Sequence, residues 1–158
     1  MPGAGKSTVG VLLAKELGLD FVDSDLTIQV RSGATLQEIL DQQGYQVLRQ
    51  LEEDALLDLP LEQRLIATGG SAVYSEASMT RLSQAGPVVF IDVPLEVLML
   101  RVDNEDQRGI ARSPGQDFAD VFDERMPLYR RYADLIIEAG TLSAQDTARA
   151  IVQGLARI

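Results

Sequence analysis

Five residues at the start of the chain, Gly3, Gly5, Lys6, Ser7 and Thr8, fit the second half of the spacing G-x-x-x-x-G-K-[ST]. Gly5 is the second fixed glycine, and the first would fall just before Met1. Gly3 and Gly5 can take backbone angles closed to residues with a Cβ, so main-chain N–H groups of the run through Ala4 can crowd around a polyphosphate. Ser7 and Thr8 then open a helix whose positive end faces the same anion. Its apolar stripe is Val9, Leu12, Leu13 and Leu17. Lys6 is placed to reach the terminal phosphates, and the Ser7 hydroxyl to bind Mg²⁺. The competing reading is a glycine-rich turn capping an ordinary helix, which the specificity of the GKST core disfavours.

A loop of this kind follows a buried, central parallel strand, and the sequence shows none ahead of Met1. Either the chain as given starts late or the sheet has lost a middle strand; the expected fold is α/β, a three-layer sandwich of the P-loop type with a central parallel sheet whose first strand is missing from this chain. A missing middle strand leaves ladder groups unpaired at about 1 to 3 kcal/mol per buried group, against a typical total stability of about 5 to 15 kcal/mol. The chain as given is expected to be poorly stable unless extended upstream.

At 158 residues the chain reads as a single domain spanning 1–158. It has no cysteine and no histidine, which removes disulfides, thiolate chemistry and the usual general base. Chemistry must then run on carboxylates, lysine, arginine, hydroxyls, backbone amides and an oxygen-loving cation. A net charge of −10 argues against nucleic-acid or membrane-surface partners. There is no apolar run of about 18 residues and no N-terminal signal, so a cytoplasmic protein is expected.

Phe21-Val22 reads as a short strand that delivers Asp23-Ser24-Asp25 at its C-terminal end, where open α/β sheets place ligands. One carboxylate can serve a metal and the other a substrate hydroxyl; a turn or an N-cap is the plainer alternative. Thr35 and Glu38 form a capping box for a helix that Gly44 ends. A helix over about 46–59 carries Arg49 and Glu52 one turn apart, where they can pair. The strand Arg64–Ala67 runs into Thr68-Gly69-Gly70-Ser71, a glycine pair that fits close approach to a ligand or a plain turn. A helix over 76–85 is followed by the strand 88–91; Asp92 at its end reads as an acid supporting the site or, in preference, as a cap, and a helix begins at Pro94. Residues 103–117 have no apolar periodicity and read as a lid in which Arg108 and Arg112 can swing over a phosphate. A helix over 118–132, kinked or divided at Pro127, carries Arg125, Arg130 and Arg131. Leu135-Ile136-Ile137 is a last strand, and a C-terminal helix starts at Thr141 or Ser143.

Taken in order, MPGAGKSTVG, FVDSD, TLQEILDQQG, LRQLEEDAL, ATGGS, VVFIDVP and ERMPLYRRYAD make the chain resemble the shikimate kinase family over almost its whole length. The resemblance implies a small P-loop kinase that phosphorylates a hydroxyl of shikimate with ATP and Mg²⁺. It implies that Gly3, Ala4, Gly5, Lys6, Ser7 and Thr8 hold the nucleotide phosphates, with Ser7 on Mg²⁺ and Asp23 supporting that ion through water. It further implies that Asp25 binds the accepting hydroxyl, that Arg49, Gly69, Gly70 and Arg125 hold the substrate, and that substrate helices span about 25–59. Arg101 resembles an adenine-stacking arginine and Arg108 a lid arginine. Ser71 stands where the family usually has a third glycine, and Leu48 where it usually has phenylalanine. A small-molecule substrate and a monomeric state are expected. Two other readings stay open here: a kinase for another small metabolite, gluconate-like or a nucleoside monophosphate, and a nucleotide-binding protein without kinase activity.

Overall fold

The computed structural model describes residues 1–102 and 109–158. Four short parallel strands, β1 (Asp20–Asp23), β2 (Arg64–Ala67), β3 (Val89–Asp92) and β4 (Leu135–Glu138), alternate with eight helices among the described residues. The helices are α1 (Lys6–Leu17), α2 (Ser24–Ser32), α3 (Leu36–Gln43), α4 (Tyr45–Asp58), α5 (Glu76–Ala85), α6 (Leu95–Val102), α7 (Phe118–Tyr132) and α8 (Ala144–Leu155).

Alternation along the strands sorts side chains into two outer layers. Leu65, Val89, Ile91, Leu135 and Ile137 pack against Val9, Leu13, Ala148 and Ile151 of α1 and α8. Val22, Ile66 and Val88 meet Leu56, Leu59, Val73 and Met79 on the opposite face. Phe90 also points that way and stacks on Tyr129 with ring centroids 5.2 Å apart. Helices on both faces of parallel strands make the expected three-layer α/β architecture.

The sheet is split where the missing strand was expected. β1 pairs with β2 and β3 with β4, and among the described residues nothing pairs with the second edge of β2 or of β3. Between these edges lies an apolar slot of about 300 Å³, lined by Leu65, Ile66, Val89, Phe90 and Leu13, with Met1 at one end. Met1 is 3% exposed, and burial holds its amino group well below the ordinary pKa of 8.0.

Local signals explain most boundaries. Thr35 and Glu38 close the capping box on α3, and Asp117 with Asp120 close another on α7. Ser143, one of the two residues expected to start it, caps α8. Residues 24–32, offered by the Asp pair as a turn or a capped helix start and placed by the resemblance among the substrate helices, form α2 with Asp23 as its cap. Two expectations need correction. Pro127 does not divide α7, which runs unbroken from Phe118 to Tyr132. Asp92 caps no helix; its carboxylate takes an ion pair from Arg130 at 3.2 Å.

Candidate active site

All four strands point the same way, so the loops at their C-terminal ends gather along one edge. A cleft of about 750 Å³ opens there, lined among others by Gly5, Lys6, Ser7, Asp23, Asp25 and Arg125. Gly5 caps α1 with φ of 83°, a left-handed conformation that places the loop backbone ahead of the helix N-terminus. The Lys6 ammonium donates to the Met1 carbonyl at 2.9 Å, and burial lowers its pKa, so it sits at the loop as a cation short of solvent. Arg101 reaches the same loop and donates to the Gly3 carbonyl at 3.1 Å.

Ser7 donates to Asp23 Oδ2 at 2.5 Å, joining the two residues expected near the metal. Asp23 Oδ1 accepts from the backbone N–H of Asp25 at 2.9 Å and of Leu26 at 3.4 Å. The plainer reading of Asp23 holds, since Oδ1 caps α2, while Oδ2 meets the loop hydroxyl. The cap starts α2 at Ser24, which sets Asp25 in its first turn, over the glycine pair.

Gly69 and Gly70 owe their identity to space. A Cβ on Gly69 would sit 2.5 Å from Asp25 Oδ1 and against the Glu52 carboxylate, and one on Gly70 would sit 2.7 Å from Arg125 Nη1. Their backbone is held from two sides: the Gly69 N–H donates to the buried Ser24 hydroxyl at 2.9 Å, and Tyr129 donates to the Gly70 carbonyl at 2.6 Å. Burial pushes the Tyr129 hydroxyl up to about 12, so it remains a donor throughout the working pH range.

Arg125 is 1% exposed and donates through Nη2 to the Ala111 carbonyl at 2.7 Å and through Nε to the Tyr74 hydroxyl at 3.3 Å. Ala111 belongs to the described part of the expected lid, 109–117. It is buried with Ile28, Ile39 and Leu48, and the Gly109 N–H donates to the Gln37 side chain at 3.1 Å. Arg112 is exposed. Arg108 and the rest of 103–108 lie outside the described residues.

The expected pairing of Arg49 with Glu52 is absent among the described ion pairs. Ser71 donates instead to Glu52 Oε2, Glu52 Oε1 has no partner, and Arg49 stacks over Tyr74 with its Nε unpartnered. Each side chain has turned to a tertiary neighbour, Glu52 to Ser71 and Arg49 to the Tyr74 ring.

A profile of the shikimate kinase family matches residues 2–156. The chain belongs to the shikimate kinase family. The shikimate kinase of Tolumonas auensis is 37% identical over 155 residues, covering 96% of this chain and 90% of that protein. That of Vibrio parahaemolyticus is 37% identical over 156 residues, covering 97% and 91%. Among solved structures, the shikimate kinase of Acinetobacter baumannii in complex with shikimate matches with a TM-score of 0.87 at 35% identity, covering 96% of this chain and 87% of that one. The Aquifex aeolicus enzyme matches at 0.82 and 31%, covering 98% and 91%.

Shikimate kinases work with ATP and Mg²⁺. The donor set here suits a small hard cation: a loop hydroxyl and a carboxylate, Ser7 and Asp23, in mutual contact at the cleft. Sequence reasoning missed Ser24, Tyr129 and Tyr74, because their partners lie 45, 59 and 51 residues away and no local spacing marks them.

The family member's Glu52 is unusual in its burial, which raises its pKa from 4.5 to about 7; Asp25 adds to that rise, while Ser71, Arg125 and Lys6 oppose it. A carboxyl raised on folding contributes stability below pH 4.5 that is lost as pH climbs through about 7. Glu52→Gln keeps an oxygen for Ser71 and removes the titration. The variant is expected to gain about 3 kcal/mol relative to the parent between pH 4.5 and 8. Melting curves at both pH values check this, and a difference that does not change with pH overturns it.

Proposed function

We infer that this protein transfers the γ-phosphoryl group of ATP to a hydroxyl of shikimate, a step of aromatic amino-acid biosynthesis. The observation that carries the reading is the convergence at one cleft of the GKST loop, the Ser7–Asp23 pair, Asp25 over the glycine pair, and the buried Arg125.

Phosphoryl transfer passes through a loose, charged transition state, so the protein's task is positioning and neutralisation. Loop N–H groups from Gly3 to Thr8 and the Lys6 ammonium hold the phosphates. Ser7 and Asp23 would hold Mg²⁺, which when bound offsets phosphate charge. Asp25 orients the accepting hydroxyl and takes its proton late in the transfer. Arg49 and Arg125 grip the acceptor's carboxylate while the Gly69-Gly70 backbone lets it approach. Arg101 lies against the adenine, and Arg108 completes the neutralisation from the lid, 103–117. The reading takes the protein to be a cytoplasmic monomer without nucleic-acid or membrane partners. In support of the last, no helix among the described residues is long and apolar enough to cross a membrane.

The test is ADP release across acceptors: shikimate, gluconate and a nucleoside monophosphate. Turnover with shikimate and none with the others is expected, and nucleotide binding without turnover on any acceptor would remove the kinase reading. Asp25→Asn should lower kcat about a hundredfold or more and leave ATP affinity nearly unchanged. If ATP affinity collapses in that variant, Asp25 belongs to the metal site.

A further inference from the structure

Tyr74 lies in a short 3-10 turn, Ala72–Tyr74, directly after the glycine pair and Ser71. Two guanidiniums from different helices share its ring: Cζ of Arg49 lies 3.8 Å from the centroid and Cζ of Arg125 5.4 Å. Its hydroxyl accepts from Arg125 Nε at 3.3 Å and is hydrogen-bonded to the Glu124 carboxylate; burial first, and Glu124 with it, raises the phenol's pKa. Arg49 also faces Tyr45 at 5.1 Å, and its Nε is buried without a partner.

Two like charges held at one site repel each other, and something must fix them there. The ring face supplies negative potential to both arginines, and the hydroxyl ties one of them by a directional bond. Glu52, one turn on, makes no ion pair with Arg49: Ser71 donates to its Oε2, and its Oε1 and Arg49 Nε are both left without a partner. Stacking leaves the planar N–H edges of the Arg49 guanidinium for bidentate bonding, whereas a carboxylate partner would consume them; Arg125 is fixed through Nε and Nη2.

We propose that Tyr74 is a positioning residue for acceptor recognition, its ring and hydroxyl setting the Arg49 and Arg125 guanidiniums in the arrangement that receives the acceptor's carboxylate. The proposal rests on the reading of those arginines given above. It adds a residue that touches neither the nucleotide loop nor the reacting hydroxyl, and acts through the two cations it holds.

The experiment is steady-state kinetics on the parent, Y74F, Y74L and R125K, with shikimate and with its uncharged carboxamide, beside melting curves for each. Y74L should raise the KM for shikimate about tenfold or more, with kcat within about threefold and the KM for ATP unchanged. Y74F keeps the ring and loses the bond from Arg125, so its shikimate KM should rise by about threefold, between the parent and Y74L. With the carboxamide the Y74L penalty should vanish, since no charge remains to be gripped. Should Y74L fail to fold, Y74M keeps volume without a ring and is read by the same criteria. A shikimate KM within twofold of the parent, or an equal penalty on the carboxamide, overturns the proposal. If R125K leaves the shikimate KM unchanged as well, the arginine reading itself fails; if R125K raises it and Y74L does not, only the role of Tyr74 fails.

Discussion

Replacing Lys6 with alanine is expected to lower turnover about a thousandfold or more and to weaken nucleotide binding. The ammonium is the cation built into the loop, and its burial beside Asp25, Glu52 and Asp23 keeps it close to the site where phosphate charge collects. Desolvation lowers its pKa in the free protein, and a bound polyphosphate opposes that shift, so nucleotide binding favours the charged ammonium. The affinity of the parent should therefore weaken as pH rises, and that dependence should flatten in Lys6→Ala. Rapid-quench turnover and nucleotide titration over pH 6 to 9 measure both effects. Parent-like turnover in the variant would discard the loop assignment.

The second large effect concerns stability. A version of the chain carrying about ten residues with a continuous apolar strand run ahead of Met1 should melt about 10 °C or more above the chain as given. Each edge of the slot offers ladder groups worth about 1 kcal/mol per bond once paired, and the slot walls offer cover for two or three apolar side chains at about 1.5 to 3 kcal/mol each. Ordering the new residues costs about 1 to 2 kcal/mol apiece, so the gain is the surplus of burial over entropy. A further gain comes from Met1. Its amino group is buried and depressed below 8.0, so its penalty on folding grows as pH falls below that value, and a peptide bond removes it. Equal melting temperatures would show that the slot does not take a strand. An extension of the same length interrupted by prolines serves as the control.

The pattern of legibility follows the range of the interactions. The phosphate loop, the Thr35 capping box and the apolar runs at β2 and β3 are written in adjacent residues, and each forms as read. Helix α2 was harder, because only Ile28 of its apolar residues is buried while Leu26 and Val30 are 58% and 74% exposed. A half-empty stripe carries no period. The Arg49–Glu52 pairing failed for a different reason: spacing of three residues shows that two side chains can meet, but not that Ser71 and the Tyr74 ring will draw them to different neighbours. Asp92 was misjudged likewise, since its partner Arg130 comes from a helix 38 residues on. The split sheet was the exception, a tertiary feature foreseen because the loop motif requires a strand before it.

The two glycines beneath Asp25 have a consequence for heritable variation in this chain. Gly18 and Gly33 end helices in left-handed conformations with open space around them, positions where asparagine serves almost as well. Gly69 and Gly70 face the opposite constraint: their backbone is not confined to left-handed angles, yet even a methyl group would strike a carboxylate or a guanidinium. Codon changes at the first pair spread their cost over folding as a whole, whereas changes at the second act on chemistry directly, leaving a soundly folded product that cannot seat its acceptor.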